Sequence, residues 1–230
     1  MAYQEIKLVD PRFRSLTVAL APQPRQMPPV PFDHGALQQI FAEITQDYPY
    51  QQFSFLPTGR GAQFHNGPED AIELRPALLQ IQAKMNGPDL LTAPMAGDKV
   101  TRVFSTAAER LDIPAFVQCA IQIVAAVDAP EDDAKKFIEG HMLHDSEQSA
   151  VLGDGFFGGG VKFRRIIGLP LEGEENLNVE PDVNDNKLLF IDFQSTHVAL
   201  RGPISLEDMS SKINDAFDFV AGNTMQLLER

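Results

Sequence analysis

His141 and His144, in the stretch EGHMLHDSE (139–147), stand one helical turn apart with Asp145 beside them. Two histidines at i, i+3 can share a metal ion through their ring nitrogens, but a working site needs a third ligand, usually a carboxylate held in fixed geometry. The helix that would carry them is ending here, where a histidine also meets the negative end of the helix dipole. His141 falls on the apolar stripe of Ala134, Phe137 and Ile138, so a packed histidine answers the same spacing.

A second stretch, VLGDGFFGGGVKFRRI (151–166), holds five glycines and then Lys162, Arg164 and Arg165. A phosphate cradle needs a glycine-rich turn, Lys-Ser or Lys-Thr, and then a helix whose N-terminus meets the anion. No hydroxyl residue follows Lys162, and Val161, Phe163, Arg165 and Ile167 alternate as in a strand. The same argument removes a dinucleotide fingerprint. What remains is a flexible or bulged approach to a strand, with the three basic side chains as a candidate anion site.

The other chemical candidates are thinner. PDVNDN (181–186) sets Asp182, Asn184 and Asn186 at alternate places as a calcium loop does, but Lys187 stands where glycine is required and Phe193 where the closing glutamate belongs. A polar turn between strands accounts for it. Ser54, Ser105, Ser195 and Ser205 lie in no Gly-x-Ser-x-Gly elbow. Cys119, the sole cysteine, falls mid-strand on an apolar face, where a buried inert thiol is expected. Asp192 and His197 share a strand at odd spacing and so point to opposite faces. No catalytic set emerges, so the chain is expected not to be an enzyme and to need no cofactor.

Composition narrows the partners. The chain has 230 residues, 43% hydrophobic and 22% charged, the balance of a globular protein. Its formal charge of −13 repels phosphate backbones, which disfavours nucleic acid. No apolar run approaches the roughly 18 residues of a membrane span. MAYQEIKLVDPRF lacks the basic opening and apolar core of a secretion signal, and one cysteine suits a reducing compartment, so a cytoplasmic setting is expected.

The elements that would position any site follow from periodicity. RSLTVALAP (14–22), ALLQIQAKM (77–85), AFVQCAIQIVAAV (115–127), GVKFRRIIGL (160–169) and NKLLFIDFQSTHV (186–198) alternate as strands, and QQFSFLP and AQFH flank a TGRG turn. Asp33 caps a helix with Leu37, Ile40, Phe41, Ile44 and Tyr48 on one stripe. A second helix buries Val100, Val103, Phe104, Ala107 and Leu111, and a third starts near Pro130. The last begins at Ser205 and Asp208 in capping-box-like spacing and buries Leu206, Met209, Ile213, Phe217, Val220 and Leu227.

The order of elements thus repeats. Residues 1–112 and 113–230 each read strand, helix, several strands, helix. The expected class is α+β: an antiparallel sheet with helices packed on one face, built from two similar β-α-β(n)-α halves. That order, carried by LEDMSSKINDAFDFVAGNTMQLL directly after KLLFIDFQSTHV, resembles a TATA-binding-protein-like or helix-grip arrangement. It is similar to a sporadically distributed family of uncharacterised bacterial proteins with two such tandem halves. The resemblance implies a fold and brings no activity with it.

With helices behind the sheet, its other face would present Thr17, Gln80, Gln82, Lys84, Gln118, Gln122, Phe190, Asp192 and Gln194. Glutamine both donates and accepts, and interface cores differ from ordinary surface by losing charge while keeping aromatics. The sequence therefore points to a non-enzymatic interaction protein, binding a protein partner or a second copy of itself through this face or through its edge strands. The alternative is a small-molecule binder with a pocket between the halves, the 153–160 glycine loop acting as its lid.

Overall fold

In the computed structural model, residues 7–24, 29–85, 92–142, 159–168, 172–200 and 202–229 are described. The chain runs β1 (Arg12–Pro22), α1 (His34–Asp47), β2 (Gln52–Phe55), β3 (Ala62–His65), β4 (Ala71–Arg75), β5 (Leu78–Lys84), α2 (Ala93–Arg110) and β6 (Phe116–Asp128). It continues through α3 (Ala134–Phe137) with a π turn (Ile138–Met142), β7 (Val161–Ile167), β8 (Gly173–Pro181) and β9 (Leu188–Val198). It ends in α4 (Met209–Asp218), a second π turn (Phe219–Thr224) and α5 (Met225–Glu229).

The strands form one open antiparallel sheet in the order β2-β3-β4-β5-β1-β6-β9-β8-β7. The class is α+β. Alternation sets which side is which: Leu16, Val18 and Leu20 of β1, Leu79, Ile81 and Ala83 of β5, and Ile191 and Phe193 of β9 are buried, whereas their neighbours are only half-buried. The buried side chains join Leu37, Ile40 and Ile44 of α1, Val100, Val103 and Phe104 of α2 and Ile213 and Phe217 of α4 in one apolar cluster. Among the described residues the helices therefore cover a single face. Each large aliphatic side chain so buried contributes about 1.5–3 kcal/mol.

Local chemistry places the helices. The Asp33 carboxylate accepts from the Ala36 amide at 2.8 Å, and the Thr92 hydroxyl caps α2. Inside α2, Lys99 is buried and held by Asp70 at 2.9 Å, the same oxygen that accepts from the Tyr50 hydroxyl. The ammonium also lies 4.9 Å from the Tyr50 ring centre. This satisfied buried charge ties α2 to the β3–β4 turn; removing one partner alone would strand the other.

Several expectations need correction. Strands β4 and β8 were not legible in the sequence: β8 reads GEENLNVEP, whose outer positions are Glu and Asn, poor strand formers. Val117, which strict alternation would bury with Cys119, Ile121 and Ile123, is exposed, because β1 and β6 slip register between Ala21 and Pro22 and an extra residue bulges out. On the last helix Leu228 is buried and Leu227 only partly so, since the π turn inserts a residue and rotates the stripe. Ser205 accepts from the Glu207 amide in a turn, and α4 starts after Asp208 with no side-chain cap.

Residues 1–112 and 113–230 meet most extensively where β1 pairs with β6 over ten register positions and where α2 packs on α4. At that helix crossing a side-chain carbon on Gly97 would lie 2.5 Å from the Ser210 hydroxyl and 3.1 Å from its Cα. Only glycine allows so close an approach. Gly97→Leu is expected to cost about 1–3 kcal/mol of stability by overpacking, read as a drop in Tm by circular dichroism. Gly97→Ala should lose less, since the hydroxyl can rotate aside and alanine favours helix by about 1 kcal/mol. An unchanged Tm in the leucine variant would show that the helices do not meet there.

Candidate functional site

The helix-free face is built in rows, because antiparallel register sets one residue of each strand opposite the next. One row crosses the whole sheet: Gln52, His65, Ala71, Gln82, Thr17, Gln122, Gln194, Asn176 and Arg164. It brings together four of the expected binding residues, Thr17, Gln82, Gln122 and Gln194. Gln80 lies in the adjoining row, opposite Ala19 and Glu73. On the other side Lys84 stands opposite Ser15, and Asp192 opposite Val124. Gln118 and Phe190 lie toward opposite ends of the β6–β9 pair, against Val198 and Ala126.

The middle of this face is low and amide-rimmed. Between their ends β1 contributes Ser15, Thr17 and Ala19, and β6 contributes Ala120 and Val124 besides Gln118 and Gln122. Gln122 donates to one oxygen of Asp192 at 2.9 Å and Gln194 to the other at 3.1 Å, so the central carboxylate is already solvated by amides. Among the described residues no protein hydrogen bond holds the side chains of Gln80, Gln82 or Gln118, whose amides thus remain for another molecule or for water. Charge sits toward the rims in pairs: Arg75 with Glu73, Lys84 with Glu69, and Arg164 with Glu174.

The three basic residues of the candidate anion site do not converge. Lys162 and Arg164 are on the helix-free face, opposite Asn178 and Asn176, while Arg165 is on the helix side opposite Glu175. Each arginine meets its own glutamate, and Arg164, with Asn176, holds Glu174 below the usual carboxylate range. The adjacent arginines of β7 thereby match the adjacent glutamates of β8, one pair per face.

His141 stacks on Phe137 with ring centres 4.9 Å apart, a packing role. His144 lies outside the described residues, as does the glycine loop up to Gly158. The described residues contain no cluster of three or more His, Cys, Asp or Glu that could hold a metal ion. Cys119 is fully buried 3.8 Å from the Met209 sulfur, and burial pushes its thiol up to about 12, Lys212 only partly opposing. Asp192 and His197 do point to opposite faces. What the sequence reading missed is the even spacing beside them: Ser195 and His197 share the helix side, with the hydroxyl and Nε2 3.1 Å apart. They line a cleft of about 650 Å³ under α4. A smaller hollow of about 310 Å³ is lined by proline-rich residues 22–24 and 29–33 and by Arg110–Pro114, which join the halves.

The polar turn at 182–186 has a structural task. Asp182 is buried, accepts from the Asn184 amide at 2.9 Å, and pairs with Arg14 of β1 at 2.6 Å. Burial pushes its pKa up, but the Asn184 amide and Arg14 outweigh this and leave it lowered. A lowered folded pKa gives stability that is complete above the ordinary aspartate range and lost as pH falls through the folded value. The Tm of the natural chain is therefore expected to fall more steeply on acidification than that of Asp182→Asn, which starts lower at neutral pH. Parallel Tm-against-pH curves would remove this role from the pair.

Comparison with family models, with curated proteins and with solved structures gives no match to this chain.

Proposed function

We propose that this is a non-enzymatic interaction protein that docks through the helix-free face of its sheet, with a second copy of the chain as the occupant. The observation that carries the reading is the charge of that face. In a chain of net charge −13, the face and its rims set Arg75, Lys84, Lys162 and Arg164 against Glu69, Glu73, Glu174, Glu180 and Asp192, so the two signs nearly cancel there. A partner approaching here escapes the general repulsion of the acidic surface. Amides donate and accept alike, so Gln80, Gln82 and Gln118 can complement themselves across a two-fold axis, where each patch must fit its own copy.

The same reading takes the two halves as copies of one β-α-β(n)-α unit. In support, β1 and β6 lie side by side at the centre and each is flanked by the last strand of its own half, β5 and β9. The likeness to the bacterial family of tandem halves fits this view. A cytoplasmic setting accords with a single buried thiol. No helix of the described residues is long and apolar enough to cross a membrane.

Gln82→Glu is the clean test, since Gln82 sits mid-row without a protein partner, whereas Gln122→Glu would also set a carboxylate against Asp192. Native mass spectrometry over a concentration series should show pairs of the 25.4 kDa chain. The variant is expected to weaken pairing by about 2 kcal/mol, roughly thirty-fold, because two like charges face each other across the axis, with little change in Tm. A natural chain that stays monomeric at high concentration would overturn self-association, and a co-purifying polypeptide lost with Gln82→Glu would make the occupant a different protein.

A further inference from the structure

The cleft on the opposite side of the sheet is independent of that docking face. Its floor is the helix side of β7, β8 and β9, and its wall is α4 with the π turn that follows. Ser195, 4% exposed, and His197 rise from β9, Lys212 comes from α4, and Phe219 and Asn223 come from the π turn. A second hollow of about 270 Å³ shares His197 and Lys212, so these two side chains stand where the spaces meet.

Three observations point to a ligand. First, Lys212 makes no ion pair among the described residues, although Arg165, on the same cleft, is neutralised by Glu175. Second, burial lowers the His197 pKa and Lys212 adds to it, so the ring is neutral at pH 7 and linked to the Ser195 hydroxyl at 3.1 Å. A carboxylate entering the cleft would accept from the Lys212 ammonium, which has no ion pair among the described residues, and from whichever of the Ser195 hydroxyl and the imidazole is not donating to the other. Third, the helix wall departs from α geometry at this place, and π turns inside helices are frequent at functional sites. That turn brings Phe219 onto Phe193, rings stacked at 4.6 Å, with the Arg165 guanidinium 5.4 Å from the Phe219 ring centre.

We propose that Ser195, His197 and Lys212 bind the carboxylate of a small organic acid whose apolar body rests against Phe219. Asp215, Asp218 and Glu175 also line the cleft, and their charges oppose the double charge of a phosphate more strongly than the single charge of a carboxylate. A bound carboxylate favours the charged imidazole, so binding takes up a proton at His197 and strengthens as pH falls from 8 toward 6. The charged and titratable groups that line the cleft with His197 or pair with it are Lys212, Asp215 and Asp218 of α4, Arg165 of β7, Glu175 of β8, Glu172 ahead of β8, and Cys119, its register partner on β6.

The experiment follows the His197 ring proton by NMR, assigned with His197→Gln, while benzoate or inorganic phosphate is added to the full chain. Benzoate should shift that resonance saturably and raise the His197 pKa, and phosphate should bind about tenfold more weakly. Lys212→Met should weaken benzoate at least tenfold with Tm unchanged. Should the methionine disturb α4, Ser195→Ala supplies a second variant, expected to bind severalfold more weakly. A His197 resonance that ignores benzoate, or Lys212→Met binding as the natural chain does, would overturn the site. Phosphate binding the tighter of the two would overturn the carboxylate assignment. Both readouts leave Gln82 and the docking face untouched, so either proposal can fail alone.

Discussion

Everything in this molecule hangs on the antiparallel pairing of β1 with β6. Each is the first strand of its half, and each is a long strand whose apolar side faces the helices. Pairing them puts two long, largely apolar strands at the centre, where both neighbours are satisfied and neither edge is exposed. The remaining strands then extend outward to β2 on one side and β7 on the other. Behind the pair, α2 and α4 must close the same joint, and the missing side chain at Gly97 lets them. Sheet and helices thus join residues 1–112 to 113–230 through backbone hydrogen bonds and through packing, and the Arg14–Asp182 pair adds a further tie.

The same pairing generates the docking face. A strand buried on one side and open on the other must alternate, and β1, β5 and β9 do so, as does β6 through its middle from Cys119 to Ala125, which is why these strands and the glutamines they present were readable from the chain. Strands β4 and β8 were not readable because their identity comes from neighbours. β8 holds its place through Arg164 and Arg165 on β7 and through full pairing with β9, a tertiary arrangement overriding weak local preference. The bulge at Val117 and the π turn at Phe219–Thr224 each add one residue, and periodicity carries no marker of an added residue until the next stripe fails to fit.

Candidate chemistry was legible in proportion to how local it was. The thiol at Cys119 and the opposite facing of Asp192 and His197 followed from strand alternation alone. The three basic residues at 162–165 looked like a cluster only in one dimension, since a strand sends neighbours to opposite sides. Conversely, Ser195 and His197 looked unremarkable as a pair until α4 was seen to bring Lys212 over them. One strand, β9, therefore serves both surfaces: its Phe190, Asp192 and Gln194 belong to the open face and its Ser195 and His197 to the cleft.

The two ends of the sheet differ in a way that governs how chains can add to one another. At one end β2 offers only four residues for pairing. At the other, a symmetric pairing of two β7 strands would set Lys162, Arg164 and Arg165 of one chain beside the same residues of the next. One margin is too short to template a neighbour and the other lines up charged side chains that a neighbouring strand would crowd and desolvate, so lateral growth into ribbons of continuous sheet is penalised at both. An open nine-strand sheet, which by geometry alone invites endless extension, is in this protein a ribbon with two different stops.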